Sequence, residues 1–96
     1  MATYFMMGKY TTESLKGISA DRTSKAEEII KKHGGEVKSM YALLGNSDLV
    51  FIVELKDTET AVKTSIALTI LTGITFTTCP AIAVQDFDKI VASSTD

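Results

Sequence analysis

The chain has 96 residues, 45% hydrophobic and 23% charged, with a formal net charge of −2. That length makes one domain, residues 1–96, with a thin core; the composition excludes disorder, and without a basic excess no nucleic-acid partner is expected. One Cys and one His leave no intramolecular disulfide and no zinc cluster of Cys and His, so no metal and no cofactor are expected.

Residues 3–10 (TYFMMGKY) are short, aromatic and apolar, and read as a strand. Thr11, Thr12 and Glu13 suit a helix N-terminus, where a hydroxyl caps a free amide and an acid complements the dipole. Leu15, Ile18, Ala26, Ile29 and Ile30 then fall at helical spacing. Lys31, Lys32 and His33 close that helix, and Gly34 and Gly35 stop it. Gly17 in its interior predicts a kink or short break near residues 17–20.

Residues 36–44 (EVKSMYALL) read as a second strand, and Gly45-Asn46-Ser47 as a turn. Asp48 opens the third strand, DLVFIVEL, which forms a hairpin with the second. Asp57 or Thr58 caps a helix over 58–72 that ends at Gly73. Residues 74–85 (ITFTTCPAIAVQ) read as the last strand. Pro80 cannot donate to a ladder, which places that strand at an edge or at a bulge. From Asp86 a polar tail adds at most a short helical turn; the core runs over about 2–91, and 92–96 are expected to fray.

The order is β-α-β-β-α-β: an α+β, ferredoxin-like arrangement with two helices on one face of an antiparallel sheet. Residues 64–85 carry no charge, but six Thr, Ser65, Gly73 and Pro80 interrupt them; this is not a membrane span, and no membrane partner is expected. No basic segment precedes an apolar run at the N-terminus, so no signal peptide is expected, and with a lone thiol the expected location is cytoplasmic.

Both faces of the sheet read as dry. In the third strand Leu49, Phe51, Val53 and Leu55 fill one face, and Val50 and Ile52 the other. Helices cover only one face, so the other calls for a second copy of the chain, in a homodimer or a higher even-numbered oligomer. Ala61, Val62, Ile66, Ala67, Leu68, Ile70 and Leu71 form more than one stripe on the second helix, which points to a neighbour there too.

The stretches ADRTSKAEEIIKKHGGEVKSMYALLGNSDLVFIVEL and TGITFTTCPAIAVQDFDKIV resemble the GYD domain family, over about residues 2–91. The family is named for a Gly-x-Tyr-Asp turn; this chain has Gly45-Asn46-Ser47-Asp48, with Ser47 in place of the Tyr. The resemblance implies a ferredoxin-like fold paired into a dimeric α/β barrel. Relatives of that architecture include small monooxygenases, muconolactone isomerases and amino-acid-sensing domains of transcription regulators.

Five residues are candidates for a site. Arg22 shares its helix stripe with Leu15, Ile18, Ala26, Ile29 and His33. It reads as a clamp for a ligand carboxylate or phosphate, or as an Arg that snorkels outward or makes a structural bridge to Asp21, Asp48 or Glu54. Asp48 reads as a general base or as an acceptor that fixes its turn. His33 reads as an acid–base group or as a helix cap. Tyr4 and Tyr41, with Tyr10, could offer phenols to a cavity, and the alternation of its strand predicts a buried ring for Tyr41. Cys79 has no evident activating group and reads as an inert thiol.

Three functions follow. The first is a binding or sensing domain that holds a small anionic or amphipathic ligand between the first helix and the sheet. The second is a cofactor-independent enzyme of the small monooxygenase or isomerase type, which needs a cavity of roughly 300 Å³ or more beneath the helices. The third is a non-catalytic assembly module.

Overall fold

A computed structural model describes residues 1–94. Four strands form one sheet, β1 (Ala2–Lys9), β2 (Glu36–Ala42), β3 (Leu49–Leu55) and β4 (Thr75–Ala81). Their order is β2-β3-β1-β4, and every neighbouring pair is antiparallel. Four helices accompany them: α1 (Thr12–Lys16), α2 (Ala20–Lys32), α3 (Thr58–Thr72) and α4 (Val84–Ser94). The split βαβ order is the one expected, but the helices number four where two were expected.

The first extra helix comes from the break near Gly17. Thr11 caps α1: its Oγ1 accepts from Ser14 N at 3.0 Å, while Ser14 Oγ accepts from Thr11 N at 2.8 Å. Gly17 closes α1 after five residues. The chain restarts because Ser19 Oγ accepts from Arg22 N at 3.1 Å, a fresh N-cap. The break costs Leu15 and Ile18 their place on the buried stripe, and both are about half exposed.

The second extra helix replaces the end of the expected last strand. β4 stops at Ala81, and Ala83 O accepts from the amides of Asp86 and Phe87 at 3.0 Å, opening α4. The apolar residues of 84–91 recur at helical spacing, and the strand-like composition of Ile82-Ala83-Val84 masks this. Of the expected frayed tail, residues 92–94 are helical; 95 and 96 lie outside the described residues. Pro80 sits on an edge strand, as its missing amide requires, opposite Tyr4.

The core lies on one side of the sheet. Tyr4 and Met6 of β1 and Leu49, Phe51, Val53 and Leu55 of β3 meet Ala26 and Ile30 of α2 and Ala61 and Leu68 of α3. Gly8 continues the β1 face, and a Cβ there would stand 2.4 Å from the Leu49 side chain; only Gly lets that side chain lie across the strand. Gly73 ends α3 in the left-handed region at φ +72°, which Gly adopts without steric cost.

No described helix is long and apolar enough to cross a membrane. The opposite sheet face carries Phe5 and Met7 of β1, Val50 and Ile52 of β3, and Cys79 of β4. The two helices packed on the sheet, α2 and α3, both lie on the other side.

Asp57 shows how α3 is started. Its Oδ1 accepts from Thr60 N at 2.9 Å and from Thr60 Oγ1 at 2.7 Å. These two hydrogen bonds, the main-chain one first, hold its carboxyl below the ordinary aspartate pKa. A lowered folded pKa stabilises above the unfolded value, and that stabilisation is lost as pH falls through the folded pKa. Thermal melts of wild type and Asp57→Ala should therefore show a lower Tm for the variant at neutral pH. The two curves should converge as the carboxylate is protonated in acid.

Candidate functional site

The break between α1 and α2 decides where Arg22 goes. As the third residue of α2 it turns back toward α1, and its Nη1 donates to Ser14 O at 2.8 Å and, at 3.4 Å, to Thr72 O. Those carbonyls lie in the last turn of α1 and at the last residue of α3, where the helix dipoles favour a cation. Arg22 thus ties three helices together.

Of the alternatives read for Arg22, the bridge to Asp21, Asp48 or Glu54 does not form. Among the described residues no carboxylate lies within ion-pair distance of Arg22; Asp21 pairs with Lys25 at 3.1 Å, and Glu54 with Lys38 at 4.0 Å. Arg22 is half-buried, and its contacts with the protein are to neutral carbonyls through one nitrogen. No described residue therefore neutralises the charge, and a guanidinium has further donors on Nη2 and Nε.

Arg22 stands between two hollows. Toward the sheet lies a small apolar one of about 70 Å³, lined by Ile18, Ala26, Leu49, Phe51 and Ile74, with Tyr10, Thr23 and Thr72 at its polar edge. Tyr10, Thr23, Leu49 and Phe51 also line an adjoining hollow of about 170 Å³ that reaches Met40 and Tyr41. Away from the sheet lies a polar hollow of about 420 Å³, lined by Thr11, Glu13, Ser14, Leu71, Thr72 and Gly73.

The other candidates separate. Asp48 accepts from Tyr10 N at 2.9 Å through Oδ2, its own amide donates to Gly8 O at 2.8 Å, and its carbonyl accepts from Leu43 N at 2.8 Å. It is the clasp that fastens the β2–β3 turn to the end of β1. Gly45 of the same turn has φ +144°, a conformation that L side chains rarely adopt. The Gly and Asp of the turn are both accounted for by architecture.

Tyr41 is not buried; it is 59% exposed. The pairing shifts register between Val37 and Ser39, and an extra residue in a strand turns every later side chain to the other face. Met40 takes the place opposite Phe51 on the core face, and Tyr41 lies opposite Val50 on the open one. It still borders the hollow beside Tyr10.

His33 caps α2, its Nδ1 2.8 Å from Ile29 O. It stands about 16 Å of helix away from Arg22 and takes no part in the hollows beside it. Tyr4 is buried in the core cluster. The site thus gathers Arg22 and Tyr10, with Asp48 holding Tyr10 and Tyr41 at the rim. Thr72 and Ile74 also belong to it. Thr72 is satisfied internally, donating from Oγ1 to Leu68 O at 2.8 Å and accepting from Ile74 N at 3.0 Å. In the sequence they read only as the end of a helix, because their link to Arg22 spans 50 positions.

Asp48→Ala leaves the Tyr10 amide without its acceptor. The variant should lose about 1–3 kcal/mol in chemical denaturation, and Asp48→Asn, which keeps an acceptor oxygen, should lose less.

Comparison with known proteins bears on the fold and the family. Among curated proteins none matches the sequence. The solved structure of the leucine response regulatory protein LrpA of Mycobacterium tuberculosis is similar, with a TM-score of 0.57 and 11% sequence identity. The match covers 85% of this chain and 51% of that one, so this chain spans about half its length; at that identity the likeness concerns the fold alone. The GYD domain model matches residues 4–91, and the chain belongs to the GYD domain family.

Proposed function

We propose that this chain is a small self-associating sensor domain that binds an anionic or amphipathic molecule at Arg22. The acid group of the ligand meets the guanidinium donors, and its apolar end enters the hollow lined by Ile18, Ala26, Phe51 and Ile74. One observation carries the reading: a half-buried Arg whose partners are two neutral carbonyls, at the mouth of an apolar hollow. A charge so placed gains from an anionic partner more than an exposed one does. The fold likeness to a response regulatory protein is in keeping with sensing. The apolar open face of the sheet supports self-association, with two copies facing each other across it.

The apolar hollow of about 70 Å³ is small beside the roughly 300 Å³ of a typical small-molecule site. It takes only a short apolar end and leaves the acid group at Arg22, which also lines the polar hollow of about 420 Å³. Of the acid–base candidates for an enzymatic reading, His33 is a helix cap remote from the hollow, Asp48 is engaged by the Tyr10 amide, and Tyr10 lines the hollow.

Hexanoate is a suitable probe. Added to isotopically labelled protein, it should shift the NMR signals of the Arg22 side chain and of the amides of Ala26, Leu49 and Ile74. Hexylamine should not. Arg22→Gln should weaken hexanoate binding about tenfold or more, the value of a charged hydrogen bond, and Arg22→Lys should recover part of it. Equal binding of acid and amine, or hexanoate binding unchanged in Arg22→Gln, would sink the proposal.

A further inference from the structure

We infer that α4 is an exchanged arm, whose apolar stripe docks on the outer face of α3 in a second copy of this chain. In α4, Val84, Phe87, Ile90 and Val91 fall on one side of the helix and are 44–72% exposed. Gln85, Asp86 and Lys89 occupy the other side. None of its residues is buried, and α4 has no extended packing partner among the described residues. An 11-residue helix is below the roughly 12–15 residues at which isolated helices become even marginal in water. The described residues of its own chain offer no extended surface to stabilise it.

The same chain carries a matching surface that is equally unmet. Val62, Ile66 and Ile70 recur every four residues along α3 and are 52%, 55% and 80% exposed. Ile66 and Ile70 flank an apolar hollow of about 270 Å³ that reaches Ser65, Thr69 and Phe76. By helix rise this ridge is about 12 Å long, and the α4 stripe about 10 Å. In the self-association reading the open sheet face is covered by the same face of a second copy. The α4 stripe and the α3 ridge are then the two large apolar surfaces left, and a reciprocal exchange between two copies satisfies both at once.

The area agrees. The chain exposes 6394 Å², against about 5,400 Å² for a compact monomer of its mass. Its radius of gyration is 14.8 Å, against about 12.5 Å for a compact domain of this length. The excess of roughly 1,000 Å² exceeds the roughly 800 Å² that each partner buries in a standard stable interface.

The inference extends the self-association reading, but it rests on different residues, so the two can fail separately. The test is analytical ultracentrifugation of the full chain and its variants. Phe87→Asp and Ile70→Asp should each raise the dimer dissociation constant at least tenfold. Combining Phe87→Asp with Ile70→Lys, which places opposite charges across the contact, should recover part of the loss. If Ile52→Lys on the open sheet face dissociates the dimer while Phe87→Asp leaves it intact, the arm is refuted and the sheet interface stands. If Phe87→Asp and Ile70→Asp lower the melting temperature of a species whose mass does not change, α4 docks on its own chain and the exchange is refuted. A monomeric wild type refutes both readings.

Discussion

The helices that pack on this sheet cover one of its faces, while apolar side chains line both, and that imbalance governs the rest of the molecule. The alternation of side chains along a strand is strict, so Val50 and Ile52 cannot join Leu49, Phe51 and Val53 beneath α2 and α3. Phe5 and Met7 are held on the open side by the same rule. A chain of this length has little core to spare, yet it places several large apolar residues where its own helices do not reach. In the proposed self-association a second copy of the sheet covers that open face.

Covering one face with two helices and a short preceding turn also creates the candidate ligand site. The break at Gly17 and the new cap at Ser19 turn the start of α2 toward α1. Arg22 then reaches the carbonyl ends of α1 and α3. This arrangement is structural first: a cation fastens helix ends whose dipoles favour it. It becomes a candidate binding site because those partners leave the charge unbalanced beside an apolar hollow. Asp48 contributes at one remove, by fixing Tyr10 at the edge of that hollow.

Local signals in the sequence carried the strand and helix order, the stop at Gly73, the edge position of Pro80 and the two-sided apolar sheet. Each depends on residues within a few positions of one another. The misses share a cause as well. A register shift at Val37/Ser39 leaves no mark in composition, yet it turns Tyr41 away from the core. The carbonyl of Thr72 has no side-chain signature, and it meets Arg22 only through the fold. In 82–85 the β-branched composition outweighed helical spacing, which hid the start of α4. The Gly45 and Asp48 of the family motif were legible as a turn, and the structure gives them that role through backbone conformation and the Tyr10 amide.

The central claim is that the open sheet face is closed by another copy of the chain. Native mass spectrometry of the freshly purified protein tests it most directly. The account predicts an even-numbered oligomer, and extra mass on each chain would carry the ligand along with it. A bare monomer at micromolar concentration would contradict the account, because the apolar face would then be stable in water on its own.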